Sequence, residues 1–376
     1  MRYLFVFLLL PFISVAQELT ESTNLDITLS WSQEPDGYTY PVYISVPDGT
    51  VPAEGYPVCI TLHGNGGTGA QQLESMSQLL DCHIVIAPSG YANSWFICSE
   101  ESNGPDMQML ESLIESIKSY SNVNADRIRL VGGSNGAALV NNFYIQNDDA
   151  SVDRVCAIVS QMNEPQFHNE DFHFPATGPN SDEDYCGYNT SKDLLVGRKY
   201  LSICNDNDNL IPFEGGPSPI GLSFLPAEFS IFKVAQSQGY TGSQLAPGGE
   251  PIGNPLIFEY KYLDGDVVLL RGNAQHGTNS SQRDYLKEWL GDCDFSSNTV
   301  GVAEVDIRWY PNPFSSILNI DLTGIPSTTF ELINIDGKIV FSGLLREGLQ
   351  GLDLNFLSNG VYILNFNEQS KLVVKQ

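Results

Sequence analysis

The chain has 376 residues, a formal net charge of −27 and an isoelectric point near 4.3. Its length suits a core domain of ordinary enzyme size plus a smaller module. No basic run interrupts the acidity, which excludes binding through nucleic-acid phosphates or anionic lipid.

Residues 1–16 read as a signal peptide. Arg2 precedes a short apolar run, and Ser14-Val15-Ala16 supplies the small-x-small cleavage pattern before Gln17. The run falls short of the roughly 20 apolar residues a spanning helix needs, so no transmembrane segment is expected in the mature protein. Export permits disulfides. Of the seven cysteines, Cys59, Cys156 and Cys204 lie in apolar strand-like runs and are expected as buried thiols. Cys82, Cys98, Cys186 and Cys293 sit at element ends or in loops and are the better candidates for pairing, though the spacings assign no pairs.

In chain order, 27–31 and 40–46 predict two strands joined by the turn Pro35-Asp36-Gly37. A buried-type strand at 57–62 runs into His63-Gly64-Asn65-Gly66-Gly67. A helix over 70–80 and a strand over 83–87 follow. Asp106 is expected to cap a helix in which Met107, Leu110, Leu113, Ile114 and Ile117 recur at helical spacing. An apolar strand then enters Gly132-Gly133-Ser134-Asn135-Gly136, and small helix-forming residues follow it. A further strand covers 154–159. Residues 161–195 are rich in Asn, Asp, Pro, Phe and His with no clear period, which reads as an inserted loop or lid. A strand at 199–204, a helix at 225–238, a hairpin-like pair at 257–263 and 267–270, and a last helix at 280–290 complete the first domain, 17–293. Strands alternating with helices predict an α/β domain with a mostly parallel sheet. Residues 294–305 are small and polar, as in a linker. From 306 to 376, short alternating runs broken by Gly and Asn turns predict a small all-β sandwich.

The Gly-x-Ser-x-Gly run between strand and helix is the pattern of a nucleophile elbow, in which Ser134 stands clear above the strand end and the helix N-terminus faces a developing oxyanion. A serine nucleophile needs a base, an orienting acid and oxyanion donors. Of the five histidines, only His276 lies in a loop between the last predicted strand and the last helix. The acid is expected after the 199–204 strand, where Asp206 and Asp208 compete within Asn205-Asp206-Asn207-Asp208-Asn209. An EF-hand reading of that run fails for want of its glycine and distal glutamate. The glycine-rich segment after the 57–62 strand would supply the N–H of Asn65, with Gly66 as alternate, beside that of Asn135. It is no phosphate loop, because no Gly-Lys-Ser/Thr follows. His168, His173, Glu170 and Asp171 read as a polar loop rather than a metal cluster. Trp95 and Phe96, with His63, are the expected substrate-binding residues, and Phe167 or Phe172 could join them.

Taken together these residues resemble the secreted α/β-hydrolases of the poly(3-hydroxybutyrate) depolymerase-like and feruloyl/acetylxylan esterase family, over about 40–292. The resemblance rests on Leu62-His63-Gly64-Asn65-Gly66-Gly67, on Ala92-Asn93-Ser94-Trp95, on Gly133-Ser134-Asn135-Gly136 and on Asp208-Asn209-Leu210-Ile211-Pro212-Phe213-Glu214-Gly215-Gly216. It implies the α/β-hydrolase fold, with Ser134 as nucleophile, His276 as base and then acid, and Asp208 as its orienter. It implies an ester substrate, either a polysaccharide-linked acyl group or a polyester, and neither metal nor organic cofactor. The segment Gly272-Asn273-Ala274-Gln275-His276-Gly277-Thr278-Asn279 departs from the family's Gly-Gly-Gly-His-x-Trp-Pro-Gly-like pattern. Residues from about 305 resemble the sorting domain of type IX secretion substrates, through Tyr310-Pro311-Asn312-Pro313-Phe314, Ile335-Asp336-Gly337-Lys338-Ile339-Val340, Gly360-Val361-Tyr362-Ile363-Leu364 and the basic-apolar end Lys371-Leu372-Val373-Val374-Lys375. That implies the type IX secretion machinery as a partner and an extracellular or outer-membrane-surface location. The competing readings are a serine peptidase on the same scaffold and a non-catalytic surface adhesin.

Overall fold

The computed structural model describes residues 17–291, 308–322, 328–335, 337–346, 348–366 and 369–376. The expected signal peptide, the linker and Cys293 lie outside the described residues. Two units form, dividing after Asp294.

The first unit is built on a nine-stranded sheet. Its strands are β1 (Val42–Ser45), β2 (Tyr56–Leu62), β3 (Ile84–Pro88), β4 (Val123–Gly133), β5 (Val152–Ile158), β6 (Lys199–Asn205), β7 (Glu250–Ile252), β8 (Ile257–Tyr262) and β9 (Val267–Gly272). The order across the sheet is β7-β8-β9-β6-β5-β4-β2-β3-β1. The run from β9 to β3 is parallel, and β1, β8 and β7 join antiparallel. This is the α/β-hydrolase fold expected from the sequence. β2 is buried at every residue, as an interior parallel strand covered on both faces must be. Its side chains alternate between two cores. Ile60 and Leu62 face the core that holds α2 (Asp106–Ile117), α3 (Asn135–Gln146) and α4 (Ala227–Ser237). Cys59 faces the core of α1 (Gly69–Ser77) and α5 (Ser280–Leu290), along with Val131, Cys156 and Leu201.

Cys59, Cys156 and Cys204 are buried free thiols, and burial pushes the thiols of Cys59 and Cys204 up to about 12. Cys98 pairs with Cys186, and Cys82 is also disulfide-bonded. The 161–195 segment is more ordered than its composition suggests. Phe167–His168, Asp171–Phe174 and Thr190–Ser191 form a small antiparallel sheet. Gln166 Nε2 ties it to α3 by donating to Ala138 O and Asn142 Oδ1, both at 2.8 Å. Phe167 and Phe172 are buried edge to face against each other, and His168 is stacked between His173 and Tyr185. Among the described residues no helix is long and apolar enough to cross a membrane.

The second unit has two antiparallel sheets. One contains β10 (Arg308–Tyr310), β11 (Ile317–Leu322) and β14 (Gly348–Asp353). The other contains β12 (Thr328–Asn334), β13 (Ile339–Leu345), β15 (Gly360–Phe366) and β16 (Gln369–Lys375). Phe314, Leu318, Ile320, Leu332, Leu364 and Val373 fill one core that draws on both sheets, as in a sandwich.

One helix start differs from expectation. Asp106 makes no capping bond; Pro105 holds the cap position. The Asp106 carboxylate turns away and accepts the Phe96 N–H at 2.7 Å. Burial, opposed by that bond and reinforced by Glu100, pushes its carboxyl up to about 8. A carboxyl raised on folding keeps its proton in the native state while the unfolded chain has lost it. Its contribution to stability is therefore present at acid pH and is lost as pH rises from about 4 to about 8, at up to ~1.4 kcal/mol per pH unit. Asp106→Asn retains an acceptor for Phe96 and has no proton to lose. We expect melting temperatures at pH 5 and pH 8 to lie closer together in this variant than in the native protein.

Candidate functional site

The parallel strands β2, β4, β6 and β9 end on the same edge of the sheet, and the loop after each reaches the site, as expected for an open α/β sheet. β4 ends at Gly133 and α3 begins at Asn135, so the reversal falls on Ser134, at φ 52° and ψ −117°. A β-carbon on Gly132 would lie 2.3 Å from the Gly136 carbonyl oxygen, and one on Gly136 would lie 2.5 Å from that of His63. Both positions of the Gly-x-Ser-x-Gly run therefore require glycine.

His276 Nε2 lies 2.7 Å from Ser134 Oγ, and its Nδ1 lies 2.8 Å from Asp208 Oδ2. Three residues 68 and 142 positions apart in sequence thus form one hydrogen-bonded line. The Asp208 side chain is 1% exposed. Its other oxygen accepts the N–H groups of Leu210 and Ile211, at 2.8 and 3.0 Å. Asp206, the alternative acid, instead pairs with Arg271 Nε on β9 at 2.6 Å.

Asn205 and Asn207 of the same run hold the loop that carries His276, a role the sequence reading missed. Asn205, 1% exposed, donates to the carbonyls of Gln275 and Gly277 and accepts from Ala274 N and Gln282 Nε2. Asn207 donates to Asn273 O and accepts from Gln275 N. Gln282 closes the arrangement as the third helical residue of the α5 capping box with Asn279. Alternation of Asn and Asp after the strand was the available signal, and with the EF-hand reading excluded it left only loop caps and solvated charges, not bracing of a distant loop.

The glycine-rich loop after β2 lies against Ser134, since a β-carbon on Gly64 would be 3.4 Å from Ser134 Cβ. Gly66, the alternate oxyanion donor, is excluded because its N–H is given to Asn93 O at 2.8 Å. Asn65 is exposed at the turn. Asn135 opens α3, where a first-turn N–H has no acceptor within the helix.

The expected substrate-binding set needs correction. His63 is 2% exposed: its Nε2 accepts the Gly90 N–H at 2.9 Å, so Nδ1 carries the proton and donates to Gly64 O at 2.8 Å. Trp95 is wholly buried and donates its indole N–H to His63 O at 2.8 Å. The two rings pack 4.8 Å apart. Both residues brace the glycine-rich loop from behind and cannot touch a ligand. Phe96 is partly exposed and lines a cleft of about 560 Å³ with Trp31, Met107 and Leu139, a lining that includes neither Ser134 nor His276.

Asn205 supports the imidazole loop through four bonds in the interior. Its replacement by alanine strands buried partners and should cost about 2–3 kcal/mol. We expect Asn205→Ala to melt earlier and to lose any Ser134-dependent activity at least tenfold, whereas Asp206→Asn should stay within about twofold of native, as read by thermal denaturation and turnover of an activated ester.

Residues 308–376 match the family described as "Secretion system C-terminal sorting domain". No curated protein matches the chain. Among solved structures, a carboxylesterase from Bacillus cereus is similar at 13% identity and a TM-score of 0.42, over 67% of this chain and 93% of that one. An acetyl xylan esterase from Aspergillus awamori is similar at 15% identity and a TM-score of 0.45, over 66% and 93% respectively. The chain therefore joins an α/β-hydrolase fold to a C-terminal sorting domain of the kind carried by type IX secretion substrates.

Proposed function

We propose that the chain is an exported serine carboxylic-ester hydrolase that works through an acyl-enzyme. The observation that carries this reading is the position of the His276 ring, 2.7 Å from Ser134 Oγ on one side and 2.8 Å from Asp208 Oδ2 on the other. Asp208, fixed by two main-chain N–H groups, accepts from Nδ1–H and so leaves Nε2 as the acceptor facing the serine. Ser134 Oγ attacks the ester carbonyl as its proton passes to Nε2. The oxyanion forms against the N–H groups of Asn135 and Asn65. His276 then returns the proton to the departing alkoxide oxygen as the ester bond breaks, which leaves the acyl group on Ser134. A water molecule, deprotonated by His276, attacks the acyl carbonyl and releases the acid and the free serine.

The substrate class we propose, feruloyl or acetyl groups on polysaccharide or a polyester, follows from the sequence resemblance and from export. An enzyme delivered to the cell exterior meets such polymers there. The sorting domain assigns handling of the chain to the type IX machinery.

Fluorophosphonate should label Ser134 in the mature, folded protein. p-Nitrophenyl acetate should be hydrolysed while peptide anilides are not, and Ser134→Ala should lower turnover by about 10⁴-fold or more. A folded protein that takes no label and turns over no ester would remove the enzyme reading in favour of an adhesin. Anilide cleavage would replace the esterase by a peptidase. Ethyl ferulate, acetylated xylan and polyhydroxybutyrate film, compared side by side, identify the acyl class.

A further inference from the structure

We infer that Glu100 is a positioning residue that sets the Asn135 amide through the loop 94–100. The inference rests on the esterase reading, in which that amide receives the oxyanion. The Ser134 N–H is given to Ile158 O at 2.8 Å, and the next residue, the first of α3, is held by its own side chain. That side chain points into the 94–100 loop. Its Oδ1 accepts from Trp95 N at 2.8 Å and from Ser94 Oγ at 3.3 Å. Its Nδ2 donates to Trp95 O at 3.0 Å and to Glu100 Oε1 at 3.2 Å. Glu100 spends its second oxygen on the loop itself, accepting from Ile97 N at 2.9 Å and Cys98 N at 2.8 Å.

The same loop reaches the other proposed oxyanion segment. The Trp95 indole donates to His63 O, and Asn93 O accepts from Gly66 N, one residue beyond Asn65. Phe96 N is held by Asp106, and Cys98 is bonded to Cys186 in the 161–195 segment. Both proposed donors therefore ride on one loop, and Glu100 is the charged group that ties the loop to Asn135.

Glutamine at this position separates the two jobs. Its single carbonyl oxygen can still serve Ile97 and Cys98, which turns its amide nitrogen onto Asn135 Nδ2, donor against donor. Asn135 cannot flip in response without turning Nδ2 onto the Trp95 N–H.

The test is steady-state kinetics on p-nitrophenyl acetate for the native chain, Glu100→Gln, Asn135→Ala, the double variant and Ser134→Ala, with folding checked by near-UV circular dichroism. We expect Glu100→Gln to lower kcat by about tenfold to a hundredfold with KM within about twofold. The double variant should be no slower than Asn135→Ala alone, because both changes break one contact. A folded Glu100→Gln with native kcat, or losses that simply multiply, overturns the inference. Should Glu100→Gln fail to fold, Glu100→Asp decides: a kcat loss at unchanged KM that adds nothing to Asn135→Ala supports the positioning role, and native kcat overturns it. An active Ser134→Ala would sink the esterase reading itself, whereas an inactive Ser134→Ala beside a native-like Glu100→Gln removes only the role of Glu100.

Discussion

The site depends on how closely the first turn of α3 is pressed against the end of β2. Gly136 lies so near that a β-carbon there would sit 2.5 Å from His63 O and 2.7 Å from Leu62 O. With the helix that close, the chain must reverse within one residue, and Ser134 takes up the left-handed φ that a serine otherwise avoids, at a cost of about 1–3 kcal/mol. The surroundings over-determine the turn. β4 is flanked on both sides by parallel strands, and the Ser134 N–H is spent on β5. The same closeness sets Gly64 beside the serine, so the elbow and the glycine-rich loop are two consequences of one packing contact.

Around this contact side-chain amides fix several of the loops. Asn135, Asn205, Asn207 and Gln282 each bond to main-chain groups of a neighbouring loop. An amide both donates and accepts, so it can replace the ladder that a strand would provide without introducing a charge that needs desolvation. Asn205 donates to two carbonyls and accepts from two N–H groups, whereas a hydroxyl has a single proton to give.

The features legible in the sequence were those with a period or a local spacing. The parallel strands announced themselves as apolar runs, the elbow by its two glycines, and His276 by its place between the last strand and the last helix. The bracing was not legible, because Asn205 and Asn207 meet their partners 66 to 77 residues away and leave no local pattern. Asp206 and Asp208 compete in the local pattern, the 208–216 stretch favours Asp208 by resemblance, and the structure adds the reason Asp206 is occupied elsewhere, its pairing with Arg271 on β9. Trp95 and His63 were misread for a related reason. An aromatic next to a motif can face a ligand or fill the space behind the loop. The choice depends on whether its N–H finds a buried acceptor, here His63 O. Asp106 at a helix start carried the signature of a cap, yet the Phe96 N–H ten residues earlier outcompeted the helix for its carboxylate.

Two carboxylates in the site share a division of labour. Asp208 gives one oxygen to two main-chain N–H groups and the other to His276, while Glu100 gives one oxygen to two main-chain N–H groups and the other to Asn135. A carboxylate caged by main-chain donors stays put, because each N–H bond to the charged group is stronger than a neutral one and the cage moves only if its loop does. Its free oxygen then fixes the direction of a single side chain. On one side of Ser134 this device orients an imidazole, and on the other it orients the residue that opens α3. Each negative charge is shared among three donors. Loops rather than strands carry Ser134, Asp208 and His276, and caged carboxylates give those loops the rigidity that strands would otherwise supply.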